Sequence, residues 1–275
     1  MQRVFPKIFF EITLTIISVE MAGYFIPEGM RYSTLNERQQ FYTQEFDIRK
    51  VAGWFRGRTD KIRFAVIIGR HTKIFPEKYA EDASTTIIID EYNDLEDVKS
   101  QIIEFLPEAV YYDRNVYDEN EKKACQELAF DLDPENIICP IHGSLADKME
   151  RHQGLSFCEL ELQMVKEETL RLYEYLAKNF SHLKIVYSGR GFHIHVFDSE
   201  AYELNDKKRK SVAKDIKEKG FDIDEWVTVG DMRLIRLPFS LHGLVSRTVI
   251  PLEKAELEDF EPVKDERCIP RFLRK

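Results

Sequence analysis

The chain is short of the features that would settle its class at a glance. It has 4 cysteines in 275 residues, irregularly spaced. That excludes the dense disulfide framework that staples small secreted domains, and fits a reducing, intracellular setting. No apolar run reaches the roughly 20 residues that a membrane-spanning helix needs, so no membrane role is expected. Repeats and low-complexity tracts are missing too. Basic charge is in deficit: 40 Lys and Arg against 49 Asp and Glu, a net charge of −9. This argues against gripping nucleic acid through the whole surface, but leaves room for a local basic groove.

What is present suits a folded domain. Hydrophobic residues make up 43% and charged residues 32% of the sequence, enough for a sizeable core. The first 29 residues stand apart. Their short apolar run is interrupted by Glu11, and no convincing small-residue cleavage site follows. Residues 12–19 read as an added strand, and well-patterned sequence begins at Met30, which is expected to be the true start. We read residues 1–29 as a doubtful extension and 30–275 as one domain with an insertion at about 135–162.

Thr34 and Glu37 have the form of a capping box, predicting a helix through Phe41, Tyr42 and Phe46. Residues 63–68 (RFAVII) and 72–75 (TKIF) read as a hairpin turning at Gly69, Arg70 and His71. The β-branched run 85–89 predicts a strand, and Asn93 to Glu96 has a capping-box form before a helix stopped by Pro107. Further strands are expected at 109–112, 184–187, 192–197, 227–229 and 233–237, and helices at 160–180 and 207–219. Strands and helices mix without strict alternation, which indicates an α+β fold.

Three stretches carry chemistry. In ELAFDLDP, residues 127–134, alternation places Leu128, Phe130 and Leu132 on one face and Asp131 and Asp133 together on the other. Neighbouring carboxylates repel unless a cation sits between them, so a divalent metal is one reading and a solvated strand face the other. In YSGRGFH, residues 187–193, two glycines allow close backbone approach, Arg190 offers a phosphate fork, and Ser188 and His193 add polar groups. A plain hairpin turn reads equally well, and His193 with His195 also has the form of a metal-binding pair. The third stretch runs from Asp222 and Asp224 through Arg233 and Arg236 to His242, a mixture suited to metal and phosphate together or to a solvated surface hairpin.

Taken together, FDLDP, YSGRGFHIHV and DEWVTVGDMRLIRLPFSLHG resemble the three catalytic motifs of the archaeal–eukaryotic primase small subunit. ERQQFYTQEFDIRKV, RFAVIIGRHTKIF and EAVYYDRNVYD resemble the family's N-terminal helix and early strands. The resemblance implies a mixed β-sheet core flanked by helices, with an RNA-recognition-like catalytic half. It implies two Mg²⁺ or Mn²⁺ ions on Asp131, Asp133 and Asp224, with Asp231 and then Asp222 as alternatives for the third ligand. Ser188, Arg190 and His193 match the nucleotide-binding turn, and Arg236 and His242 the residues that contact the incoming triphosphate. It also implies a structural Zn²⁺ on Cys139, His142 and Cys158, with Glu161 or His152 as the fourth ligand.

The expected activity is primer synthesis from NTPs or dNTPs on single-stranded DNA, with a primase large subunit as partner and a place at the nucleoid. Many relatives insert a helical subdomain between the second and third motifs; the short segment 198–221 suggests a minimal core. The rival readings are a stand-alone primase-polymerase or repair polymerase, a metal phosphoesterase using Asp131, Asp133, His193 and His195, and a non-catalytic nucleic-acid-binding module.

Overall fold

The computed structural model describes residues 24–274 apart from 56–57, 59–60, 70 and 80–84. The strand expected at 12–19 and Arg70 of the expected hairpin turn lie outside the described residues. The strands that matter are β1 (Phe64–Ile67), β2 (Thr86–Ile89), β3 (Ala109–Asp113), β4 (Asn115–Tyr117), β5 (Lys123–Gln126), β6 (Leu128–Leu132), β7 (Leu183–Tyr187), β8 (Phe192–Val196), β9 (Leu234–Arg236), β10 (Leu241–His242), β11 (Arg247–Thr248) and β12 (Ile250–Leu252).

They build two four-stranded sheets, ordered β2-β1-β3-β9 and β12-β7-β8-β6, with small hairpins β4-β5 and β10-β11 beside them. The α+β class holds, but the expectation of a mixed sheet needs correcting: every pairing between these strands is antiparallel. The physical reason lies in the connections. Neighbours such as β7 and β8 are joined by a tight turn, which reverses direction, whereas parallel neighbours need a long crossover.

Each sheet has its own core. Phe41, Tyr42, Val51, Phe64, Val66, Val98, Ile102 and Val110 close the first. Leu128, Phe130, Leu132, Val165, Leu172, Ile185, Ile194 and Ile216 close the second. β6 divides between them. Ala129 packs into the first core, while Leu128, Phe130 and Leu132 pack into the second. The alternation read from the sequence is thus real, and Asp131 shares Ala129's side, looking into the space between the sheets.

Local signals explain most elements. Thr34 caps the helix Leu35–Gln44 with both arms of a capping box, the Glu37 N–H donating to Thr34 Oγ1 and the Thr34 N–H to Glu37 Oε2. In the helix Leu95–Phe105 the cap is Asp94 rather than Asn93, which instead donates to Asp97. Helices Glu159–Leu176 and Asp206–Glu218 back the second sheet, the latter followed by Gly220 at φ +83°.

Two expected strands also fail. Residues 72–75 are not a strand; β1 pairs with β2 and β3 instead, because both flanking edges are already filled by better β-formers. Residues 227–229 are helical, within Glu225–Val229, despite their β-branched side chains. Asp224 accepts from the Trp226 N–H at the start and Gly230 closes the turn at φ +91°, so the capping outweighs the strand propensity of three residues.

Candidate active site and cysteine–histidine cluster

The three stretches meet at one place between the sheets. Asp131 ends β6 and Asp133 follows it. The Asp224 N–H donates to the Asp131 carbonyl at 2.9 Å, so the third stretch lies along the free edge of β6. Asp131 is consequently crowded. Burial, then the charges of Asp133 and Asp224, push its carboxyl well above the ordinary carboxylate range, against the pull of Arg236 and Arg190. An all-oxygen set under this strain suits a hard divalent cation, whose charge relieves the repulsion.

The glycine turn is pressed against the acids. A Cβ on Gly191 would stand 2.2 Å from the Leu132 carbonyl oxygen and 3.0 Å from Asp133 Cα. Gly189, at φ +105°, would drive a Cβ to 2.5 Å from His242 Cβ. Here glycine is required so that one part of the chain can approach another, whereas the sequence suggested an approach to ligand. Ser188 closes the turn on itself: its N–H donates to the Gly191 carbonyl at 2.9 Å, and its Oγ accepts from the Gly191 N–H at 3.1 Å.

Arg190 Nη2 reaches Asp133 Oδ1 and Glu135 Oε1, both at 2.5 Å, and its guanidinium sits 5.6 Å from the Phe157 ring centroid. These two carboxylates raise its pKa despite burial, so it stays charged. Glu135 was missed in the sequence, although it lies two residues beyond Asp133 on an acidic run.

His193 Nε2 is 3.5 Å from Asp131 Oδ1, as expected from their pairing across β6 and β8. Burial, then His195, Arg236 and Arg114, lower its pKa well below the usual value, so its ring is neutral. His242 is held neutral in the same way by burial, Arg236, Arg190 and His193. Arg236, on β9 of the other sheet, donates to the Tyr111 hydroxyl at 2.9 Å. Among the described residues, His193 Nδ1, His242 Nδ1 and Arg236 Nη1 are buried without a hydrogen-bond partner. Three such nitrogens beside one acid cluster suit a polar, anionic ligand.

His195 does not join the acids. Its Nδ1 lies 2.6 Å from Glu127 Oε1, and Glu127 also accepts from the Tyr112 hydroxyl at 2.9 Å. Glu127 is fully buried with its pKa lowered by the His195 and Arg114 contacts, so it is ionised and the Nδ1–H is the donor. A His193–His195 metal pair, and the phosphoesterase built on it, has no geometric support. Glu127 shares the face of Ala129, Asp131 and Asp133 by simple alternation, a signal present in the sequence but unread.

A second cluster lies in the insertion. The ligand atoms of Cys139, His142, Cys158 and Glu161 all lie within 4.8 Å of one another. Cys139 Sγ is 3.4 Å from His142 Nδ1 and 3.9 Å from Cys158 Sγ, and His142 Nδ1 is 3.9 Å from Glu161 Oε2. Ligands about 2.0–2.3 Å from a tetrahedral Zn²⁺ stand roughly 3.5 Å apart, so the set fits. His152 is exposed and outside it. Lys148, fully buried, holds Glu161 Oε1 at 2.7 Å, and Oε2 accepts from the Cys158 N–H at 2.8 Å while standing 3.9 Å from His142 Nδ1. Residues 24–25, within the stretch expected to be an extension, dock here: the Phe25 ring lies 4.3 Å from that of His142, and the Phe157 N–H donates to the Phe25 carbonyl.

Residues 130–220 match the family model described as DNA primase small subunit. An uncharacterised DNA primase small subunit-like protein of Archaeoglobus fulgidus is 48% identical over 267 aligned residues, covering 91% of this chain and 94% of that protein. The DNA primase small subunit PriS of Pyrobaculum arsenaticum is 28% identical, covering 61% of this chain and 67% of its own length. For PriS of Pyrococcus furiosus the figures are 27%, 66% and 48%. In fold, the chain resembles the polymerase domain of Mycobacterium tuberculosis ligase D in complex with DNA, with TM-score 0.53, 14% identity and 87% coverage of both chains.

Proposed function

Because the chain belongs to the DNA primase small-subunit family, we propose that it is a primer-synthesising nucleotidyltransferase acting on single-stranded DNA. The observation that carries this reading is the convergence of Asp131, Asp133 and Asp224 from three separate stretches, beside Arg190, Arg236 and His242. The order β6-β8-β7, with Asp224 bonded along the free edge of β6, supports an RNA-recognition-like catalytic half.

Asp131, Asp133 and Asp224 would hold two Mg²⁺ or Mn²⁺ ions, which when bound supply charge stabilisation at the reacting phosphate. The chain's own residues do the rest. Arg190 and Arg236 offset the triphosphate's charge and fix its orientation. Neutral His193 and His242 offer ring nitrogens to phosphate oxygens without adding charge. Ser188 and its glycines hold Arg190 in reach of the acids. Arg190 is bound to Asp133 and Glu135, so nucleotide entry exchanges these contacts for phosphate ones.

Cys139, His142, Cys158 and Glu161 are proposed to hold a structural Zn²⁺ remote from the acids, in an insertion within a single catalytic domain. A primase large subunit as partner, and work at the nucleoid, belong to the same proposal. No helix of the described residues is long and apolar enough to cross a membrane.

The test is incubation with single-stranded DNA, labelled nucleotides and Mn²⁺, with and without a large subunit. Asp131→Ala and Asp133→Ala are expected to fold and make no product. Synthesis by either variant overturns the assignment.

A further inference from the structure

Residues 24–33 form no helix or strand, yet they are fastened at both ends. At the first end, the Phe25 N–H donates to Ser156 Oγ at 3.0 Å and the Phe25 carbonyl accepts from the Phe157 N–H at 3.1 Å. At the other, the Ser33 N–H and Oγ both donate to the Gly243 carbonyl, at 2.8 and 3.1 Å. Between them Met30 is buried in the second core, and the Gly29 carbonyl accepts from Arg247 Nη2 at 2.9 Å. The Tyr24 and Tyr32 rings stack with centroids 5.5 Å apart, which brings the two fastened ends side by side.

Each end abuts a side chain that the reading above gives to the triphosphate. Arg190 rests its guanidinium 5.6 Å from the Phe157 ring centroid and donates from Nη1 to the Leu155 carbonyl at 3.5 Å. Arg190 and Glu135 also act through space on the Tyr24 hydroxyl. Gly243 directly follows His242, and Ser33 packs so closely that a Cβ on Gly243 would stand 3.1 Å from its Oγ.

Residues 155–157 have no helix or strand either. Lys148 Nζ holds the Ser156 carbonyl at 3.0 Å, the Ser156 N–H donates to the Gln153 carbonyl at 2.8 Å, and Phe25 supplies the two bonds already described. Without nucleotide, Asp133 and Glu135 hold Arg190 in place. Once phosphate oxygens draw it from those acids, the Phe157 ring and the Leu155 carbonyl are the supports left under it. Arginine has many rotamers, and a seat that selects one lowers the cost of ordering it on a ligand.

On the premise of the activity proposed above, we propose that residues 24–33 are a strap that positions Arg190 and His242 for the incoming triphosphate. Phe25 acts through the 155–157 backbone and Ser33 through Gly243; both are positioning residues. The Phe25 ring, 4.3 Å from that of His142, extends the same tie to the cysteine–histidine cluster. One segment thus holds the insertion and the nucleotide side of the site in fixed relation.

The test is calorimetric binding of ATP with Mn²⁺ to the full chain without template, so that nothing turns over. Phe25→Ala should weaken ATP about 10-fold, and Phe25→Tyr, which keeps the ring, by less than about 2-fold. Ser33→Ala should weaken it about 3-fold. Arg190→Lys keeps a charge for phosphate but lacks the fork that rests on Phe157 and Leu155; in that background Phe25→Ala should cost less than about 2-fold more. Val98→Ala, in the first core, should lower Tm and leave ATP affinity unchanged. In extension assays Phe25→Ala should raise KM for the nucleotide about 10-fold with kcat within about 2-fold, whereas a loss of folded molecules would lower kcat alone.

Unchanged ATP affinity in Phe25→Ala overturns the proposal, as does an equal loss in the Arg190→Lys background. Should Phe25→Ala fail to fold, Ser156→Ala removes only the acceptor of the Phe25 N–H and should weaken ATP about 3-fold; no change there overturns the proposal equally. Weakened ATP binding in the variants with no product from the parent would sink the polymerase reading and leave the strap standing. Product from the parent with unaltered affinity in the variants would do the reverse, and a parent that binds no ATP sinks both.

Discussion

Asp131 carries the tension of the whole site. Its carboxyl is held near Asp133 and Asp224 at the expense of stability, as expected where function rather than packing chose the residue. Asp131→Asn removes that repulsion, so without divalent ions the variant should melt a few degrees higher than the parent, a shift readable by calorimetry. The same variant should lose the Mn²⁺-induced rise in Tm that the parent shows. Gly191 tests the opposite constraint. Gly191→Ala must displace the Leu132 carbonyl or the turn, since the added carbon would stand 2.2 Å from that oxygen. About 1–3 kcal/mol of destabilisation is expected by denaturant titration, with nucleotide incorporation falling more than stability does.

Among the elements, the short helix Glu225–Val229 is informative because Asp224 is both its N-cap and a member of the acid cluster. Asn caps as well as Asp, so Asp224→Asn keeps the cap and relieves part of the repulsion on Asp131, and should melt no lower than the parent, while Asp224→Ala should be about 1 kcal/mol less stable than Asp224→Asn. Both should abolish synthesis, separating the charge from the cap. The capping box at Thr34 has its own pH signature. Arg31 and the Thr34 N–H pull the Glu37 pKa from 4.5 to about 2. A depressed carboxylate contributes stability above pH about 4.5 and loses it as pH falls toward 2. Because Arg31 is half exposed, salt weakens the effect. Glu37→Gln should therefore flatten this acid limb of the Tm profile; an unchanged limb would refute the assignment.

At the scale of the molecule, two cores joined by β6 leave an opening between the sheets, and the site occupies it. The insertion is tied down separately by the cysteine–histidine cluster and the buried Lys148–Glu161 pair. Lys148→Met would strand a buried carboxylate, with about 3–5 kcal/mol of destabilisation expected. Chelation of zinc should lower Tm in the parent, and adding Zn²⁺ should restore it. Much of this plan was legible beforehand. The strands and helices followed from period-2 and period-3.6 patterning and from caps such as Thr34, and all three acids were in view. Residues 72–75 and 227–229 misled because short β-prone runs say nothing about whether a sheet edge or a cap awaits them. Glu127 and Glu135 went unread because an acid's partner, here His195 or Arg190, lies far away in sequence.

Local order and residue chemistry were properties of the sequence alone: alternation assigns Asp131 its side of β6, spacing groups Cys139 with His142, and motif order indicates nucleotide chemistry. Which distant groups meet was decided only in three dimensions. Sequence spacing could not choose Asp224 over Asp231, or Glu161 over His152, because that choice depends on the hydrogen bond to β6 and on Lys148 at the cluster. Nor could it separate His195 from His193, whose roles diverge through Glu127. Side-chain periodicity acts over one turn or one pleat, whereas charge and coordination act through space, and only the packed chain specifies those distances.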